Sequence, residues 1–304
     1  MPLGRFAPSP TGDLHLGNLR TALVAWLFAR SSASAFVLRI DDLDAATARA
    51  GCARRQLADL AAIGLDWDGP VVRQSERRAA HDEAIAALAT AGLTYDCYCS
   101  RREIREAPAA PQGPDQVEGA YPGTCRHLTT AQRRQRERDG RRPALRLRAG
   151  GAVVNLVDRL CGPFAALVDD FVLRRGDGTP AYNLAVVVDD AHQHVGEVVR
   201  ADDLLASTPR HVHLAGLLGH GVPAYAHVPL VVAPSGERLA KRHGAVTLAE
   251  RAARGQPPAT VVGLLAASVG LAAPGEPVTP ADLVARFDVQ ALPTDPWVLD
   301  ADDI

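Results

Sequence analysis

Apolar and polar positions follow two rhythms along this chain, and the rhythms mark its elements. From Gly17 to Arg30 apolar residues recur at helical spacing. Before that run, Leu3 to Ala7 is short and apolar-mixed, as a strand would be. Pro8, Ser9, Pro10, Thr11 and Gly12 between them form a turn-rich loop. After it, the compact run Ala35 to Ile40 suits a buried strand and ends in Asp41, Asp42 and Asp44. Strand, helix and strand within about 40 residues predict a βαβ unit, hence a parallel sheet with a right-handed crossover. Helical spacing continues around residues 50–64 and 75–91. The texture then changes to proline-rich loop (Pro108, Pro111, Pro114, Pro122) and to an arginine-dense stretch over residues 126–148. Parallel-sheet texture returns at Ala185–Asp190, followed by a helix near 204–219 and a strand-like run from Val228 to Val232. Beyond residue 242, helix-forming stretches are broken by Pro257, Pro258, Pro274 and Pro280.

These shifts divide the chain. Residues 1–92 and 179–242 form one α/β unit, residues 93–178 an insertion, and residues 243–304 a helical region. A length of 304 residues accommodates two domains, and 47% hydrophobic residues argue for a folded globular chain. No stretch approaches 18 uninterrupted apolar residues, so no membrane span is expected. The N-terminus lacks an apolar signal region, which favours a cytoplasmic location. A formal charge of −2 excludes binding to nucleic acid through bulk charge, although a local basic face remains open.

Two residue types change the picture. Lys241 is the only lysine among 33 basic residues, the other 32 being arginine. Codon bias accounts for most of that imbalance. A lysine that survives it marks a position suited to a compact, rotatable ammonium rather than a planar fork. The five cysteines are odd in number, which argues against a disulfide framework. Cys97, Cys99 and Cys125 cluster as Cys-x-Cys and a third after 25 residues, whereas Cys52 and Cys161 read as isolated buried thiols.

Two segments carry candidate chemistry. In the first, Pro8 to Asn18, a Gly-containing loop leaves a strand and feeds a helix N-terminus, where free N–H groups favour an anion such as phosphate. His15 stands ready to donate to a phosphate oxygen, and Gly12 and Gly17 permit close backbone approach. The second, Ser235 to Arg242, is a short basic loop that holds the lone lysine. Each segment alone reads as readily as a capping loop or a solvated surface loop.

Taken in order, the segments resemble the class I glutamyl-type aminoacyl-tRNA synthetases. Arg5 to Gly12 followed by His15-Leu16-Gly17-Asn18 is similar to their "HIGH" signature. Arg39 to Asp44 resembles a strand-end motif, Tyr182 to Asp190 and Val199 to Leu204 resemble two further blocks, and Arg238 to Arg242 resembles the "KMSKS" loop. Full members of the family carry an anticodon-binding domain beyond that loop. Here 62 residues follow Arg242. The resemblance is therefore to the truncated branch of the family, which glutamylates queuosine in tRNA(Asp).

The resemblance implies a Rossmann-like parallel-sheet nucleotide-binding domain, an inserted zinc-containing acceptor-type domain and no anticodon-binding domain. It implies ATP-dependent activation of L-glutamate, with Mg²⁺ on the phosphates and queuosine-bearing tRNA(Asp) as acceptor. His15 and Lys241 are then the phosphate-contacting catalytic residues, with Gly17 and Asn18 also at ATP. Arg5, Ser9, Asp41, Tyr182 and Arg200 hold glutamate. Cys97, Cys99, Tyr121 and Cys125 bind Zn²⁺, although ordinary ligand preference points to His127 as the fourth ligand. Two positions depart from the family pattern: Asp41 stands where glutamate is usual, and Ala240 where serine is usual. The arginines at 133–148 read equally as phosphate contacts or as a solvated helix. His192, His194, His211 and His213 read as ordinary. A short glutamyl-tRNA synthetase that charges a tRNA 3′ end, or a non-catalytic RNA-binding paralogue, are the alternatives.

Overall fold

A computed structural model describes residues 2–49, 51–106, 120–239 and 246–299. Lys241, Ala240 and Arg242 lie outside these residues. The βαβ unit is present at the start of the chain. Strand β1 (Leu3–Phe6), helix α1 (Leu16–Ser31) and strand β2 (Phe36–Ile40) follow one another, and β1 and β2 pair in parallel. Helix α1 is buried on nearly every side, from Leu16 and Leu19 to Phe28 and Ala29, as an all-round apolar helix must be.

Helix α2 (Cys52–Ala62), strand β3 (Val72–Arg73) and helix α3 (Arg78–Thr90) come next. Strand β4 (Thr94–Cys97), helix α4 (Arg101–Glu106), helix α5 (Thr130–Arg138), strand β5 (Ala144–Leu147), the hairpin β6 (Val153–Asp158) and β7 (Gly162–Leu167), and strand β8 (Val172–Arg174) follow. This stretch is antiparallel, with β4-β5-β8 in one sheet and β6-β7 in another.

Helix α6 (Tyr182–His192), strand β9 (Val195–Ala201), helix α7 (Thr208–Leu217) and strand β10 (Ala224–Val228) return to the parallel sheet, whose order is β10-β9-β1-β2-β3. Here the structure corrects the sequence reading. Ala185–Asp190 is the buried middle of α6, and the strand is β9, ten residues later. A short run of alanine and valine fits a buried helix as well as a strand, and here extended Ala181 is the N-cap of a helix. Likewise Val228–Val232 is divided between the end of β10 and strand β11 (Val231–Val232).

Helices α8 (Leu248–Ala253), α9 (Pro258–Ser268) and α10 (Pro280–Val284) precede strand β12 (Trp297–Val298), which pairs with β11. α9 and α10 pack on α1, so Val261, Leu265 and Leu283 share one core with Leu23 and Leu27. A second core joins Ile85 and Leu88 of α3 and Leu184 of α6 to Leu147 and Leu173 of the antiparallel stretch. No helix among the described residues is long and apolar enough to cross a membrane.

Candidate active site

In a parallel sheet the carboxyl ends of all strands face the same edge, and ligands bind where the strand order reverses. β1 lies between β9 and β2, so the chain leaves β1 at such a point. A cleft of about 570 Å³ opens there. Arg5, Ser9, His15, Asn18, Asp41, Tyr182 and Arg200 all line it, as does Arg238. Gly17 lines a small adjoining recess.

His15 is the N-cap of α1. Its Nδ1 accepts the Asn18 N–H at 3.2 Å, while Asn18 Oδ1 accepts the His15 backbone N–H at 3.2 Å. With Nδ1 used as acceptor, the neutral ring carries its proton on Nε2. Gly17 also makes room for its neighbour. A Cβ there would lie 3.1 Å from both Cε1 and Nδ1 of the His15 ring, so glycine leaves room for the imidazole. The loop before it is held by Gln56, whose Nε2 donates to the carbonyls of Ser9 at 3.0 Å and Gly12 at 2.7 Å.

The charged floor is built from β1, β2, α6 and β9. Arg39 is fully buried and donates to Asp41 Oδ1 at 2.7 Å and to Asp190 Oδ1 at 2.5 Å. Arg5 donates to the same Asp190 oxygen at 3.3 Å and to the Val199 carbonyl. Burial opposes ionisation of Asp190, yet Arg5 and Arg39 outweigh it and hold the carboxyl below its ordinary value. At Asp41 burial wins over Arg39, and the carboxyl is raised.

Arg200 is different. Its side chain is buried, and its N–H groups end on neutral acceptors: His227 Nε2 at 3.1 Å, His211 Nδ1 at 3.2 Å, Tyr182 Oη at 3.3 Å, the Leu204 carbonyl at 3.3 Å and Thr208 Oγ1 at 2.8 Å. No carboxylate among the described residues pairs with it. Because arginine offers no acceptor, His211 must be bare at Nδ1, and its Nε2–H donates to Asn183 Oδ1 at 2.9 Å. Burial, then Arg200, push His211 well below its ordinary pKa. Tyr182 is 43% exposed at the rim, so its hydroxyl is the partner of Arg200 that a ligand reaches.

The cysteine cluster lies away from this cleft. The Sγ atoms of Cys97, Cys99 and Cys125 fall within 4.8 Å of one another. The Tyr121 hydroxyl stands 3.3 Å from Cys97 Sγ and 3.8 Å from Cys99 Sγ, while His127 is exposed outside the group. A hydrogen bond from Cys97 lowers the Cys125 thiol to about 6, and the same contact, with burial, raises Cys97 to about 12. Arg146 stacks 3.7 Å over the Tyr121 ring, and Arg141 pairs with Glu103, so part of the arginine-dense stretch is structural. The residues on α5 are all unburied. Cys52 is buried as expected. Cys161 is not: it sits exposed at the β6–β7 turn.

Comparison with known proteins supplies what geometry alone does not. The family model of class I tRNA synthetases (E and Q), catalytic domain, matches residues 3–304. A protein of Nocardia farcinica named glutamyl-Q tRNA(Asp) synthetase is 60% identical over 296 residues, 97% of this chain and 92% of that one. The chain belongs to the glutamyl-Q tRNA(Asp) synthetase family of class I. Its namesake from Symbiobacterium thermophilum is 48% identical over 315 residues, covering 100% of this chain and 98% of the relative. Among solved structures, a glutamate tRNA ligase from Elizabethkingia meningosepticum, in complex with its amino acid, superposes with a TM-score of 0.83 at 27% identity. That match covers 99% of this chain and 68% of the ligase. The class I synthetase catalytic fold, with its parallel sheet, is thereby shown.

In and behind the cleft stand residues that the sequence does not single out as site residues. Arg39, Asp190 and Gln56 organise its floor and loop, and His211 and His227 hold Arg200. Arg39 and Asp190 stood inside quoted motifs, which was their only signal. Gln56 and His227 had none.

Proposed function

We propose that this protein activates L-glutamate with ATP and transfers the glutamyl group to queuosine of tRNA(Asp). The observation that carries the choice of amino acid is the charge in the cleft. Arg5 and Arg39 share Asp190, Arg39 also holds Asp41, and on the wall Asp13 and Asp203 pair with Arg55 and Arg238, whereas Arg200 has no carboxylate partner among the described residues. Glutamate brings two carboxylates and one ammonium, and glutamine would leave that charge uncompensated. The glutamate side chain docks on Arg200 and Tyr182, with Arg5 and Ser9 beside it, and Asp41 receives the α-ammonium. With its other N–H groups held by His227, His211, Leu204 and Thr208, Arg200 offers the carboxylate the N–H that it shares with Tyr182, a charge-assisted hydrogen bond.

An oxygen of the α-carboxylate then attacks the α-phosphorus of ATP, and pyrophosphate leaves. The protein contributes position and charge. His15 Nε2–H and the N-terminus of α1 meet the phosphates, Gly17 and Asn18 shape that end of the cleft, and Lys241 adds a cation. Bound with ATP, Mg²⁺ would neutralise part of the phosphate charge. A hydroxyl of the queuosine cyclopentene-diol attacks the activated carbonyl, forming an ester and releasing AMP. The cysteine cluster fits Zn²⁺: three sulfurs and the Tyr121 oxygen suit a closed tetrahedral site, in which the metal would fasten the insertion over residues 93–178. The protein works in the cytoplasm, where its tRNA substrate is found.

Glutamate-dependent ATP–pyrophosphate exchange without tRNA tests the activation step. Exchange with glutamate and not with glutamine is the expected outcome. Exchange with neither contradicts the assignment of the cleft.

A further inference from the structure

The partners of Arg200 extend to a carboxylate that never touches the cleft. Asp158 closes strand β6 in the insertion. Its Oδ1 accepts the backbone N–H groups of Leu160 at 3.0 Å, Cys161 at 2.9 Å and His227 at 3.1 Å. Its Oδ2 lies 2.6 Å from His227 Nδ1. The Asp158 and His227 side chains are both without solvent exposure. On the far side of the ring, Nε2 lies 3.1 Å from Arg200 Nε and 3.1 Å from Thr208 Oγ1.

The donors and acceptors leave one arrangement. Arg200 only donates, so His227 Nε2 is bare and the ring proton sits on Nδ1, facing the Asp158 carboxylate. Arg5 and Arg39 are held by carboxylates in direct contact, which neutralise them. Arg200 is held by a neutral imidazole, and the nearest charge in that direction lies across the ring. Coulomb attraction weakens with that distance, so the guanidinium is oriented while its charge stays available.

We propose that Asp158 and His227 are positioning residues for recognition of the glutamate side chain. Asp158 fixes His227 as its Nδ1–H tautomer, and the bare Nε2 aims Arg200 into the cleft without neutralising it. This rests on the reading of the cleft as the glutamate site. It also gives the insertion a part in the amino-acid site, because Asp158 belongs to β6 while Arg200 and His227 belong to the parallel sheet. Changing Asp158 to asparagine turns an NH₂ toward His227 Nδ1. The favoured tautomer then points an N–H at Arg200, the same fault that the Asp→Asn change produces in a Ser-His-Asp triad.

Two readouts test this. The first, long-range ¹⁵N NMR of the histidine side chains at neutral pH, needs no activity. It should find His227 protonated on Nδ1 in the wild-type protein and shifted toward Nε2–H in Asp158→Asn. Wild-type protonation on Nε2 overturns the proposal. The second is the KM for glutamate in pyrophosphate exchange. His227→Asn keeps a donor near Asp158 and loses the acceptor for Arg200. His227→Gln places an amide oxygen where Nε2 stood. Asp158→Asn and His227→Asn should raise the glutamate KM about tenfold or more, with the ATP KM within about twofold, while His227→Gln stays within about threefold of wild type. Equal losses in both His227 variants, or an ATP KM that moves in parallel, mean that the residues only fill the core, and overturn the proposal. If the wild-type protein shows no glutamate-dependent exchange, the glutamate reading fails and takes this recognition role with it, while the NMR result separately reports whether the relay exists.

Discussion

Replacing Gly17 by alanine sets two effects against each other. Gly17 is the second residue of α1, in the first turn, where propensity favours alanine by less than the roughly 1 kcal/mol of a helix interior. The structure opposes this. The new Cβ would stand 3.1 Å from two atoms of the His15 ring, with Val231 Cβ at 3.5 Å on another side, so the ring must move by some tenths of an ångström. The two capping hydrogen bonds are already 3.2 Å long, and losing them costs about 1 kcal/mol. Stability therefore changes little, and the melting temperature should stay within a few degrees. Activity should not. A misplacement of 1 Å at a reacting group costs on the order of 10²-fold, so a displacement of half that predicts roughly a tenfold fall in kcat/KM for ATP. Pyrophosphate exchange at varied ATP, with a thermal melt beside it, measures both. A Gly17→Ala protein with wild-type kcat/KM for ATP would refute the placement of His15 at the phosphates.

Further predictions concern other parts of the molecule. Lys241→Ala should abolish pyrophosphate exchange while leaving the melting temperature unchanged, and retained exchange would remove the lysine from the mechanism. Elemental analysis should find about one zinc per chain. Tyr121→Phe should lose that zinc to a chelator faster than wild type, and His127→Ala should not. Asp59 is raised to about 6, first by burial and then by Asp13. Its ionised form is disfavoured in the folded protein, so it lowers stability as the pH rises above the ordinary aspartate pKa of about 3.9, with the full penalty above about pH 6 and none at low pH. Asp59→Asn should raise the melting temperature at pH 8 and not at pH 4. Asp158 runs the other way. Burial opposes its charge, but His227 and the backbone N–H groups hold it at about 2. It stabilises the fold above the ordinary aspartate pKa of about 3.9, and that contribution is lost as the pH falls through about 2.

The first βαβ unit was legible because its signals are local. Helical spacing from Gly17 to Arg30, a turn-rich loop and a compact strand need no distant partner to be read. The run Ala185–Asp190 failed for the opposite reason. Within so short a run, burial on both sides of a sheet and burial all round a helix select the same residues, and only the packing of α6 between α3 and α7 separates them. The site followed the same division. Arg5, His15 and Arg200, which line one cleft, could be proposed because ordered motifs flank them. Their electrostatic partners could not, since pairing joins Arg5 to Asp190 across 185 positions and Asp158 to His227 across 69. Cys161 shows the limit of composition: a lone cysteine is usually buried, and this one lies on an exposed turn.

The central claim is that glutamate activated in this cleft is delivered to queuosine. Transfer of labelled glutamate to purified tRNA(Asp), with and without queuosine and beside tRNA(Glu), tests it most directly. Label on queuosine-bearing tRNA(Asp) alone is the predicted result. Label on tRNA(Glu), or on tRNA(Asp) that lacks queuosine, would contradict it.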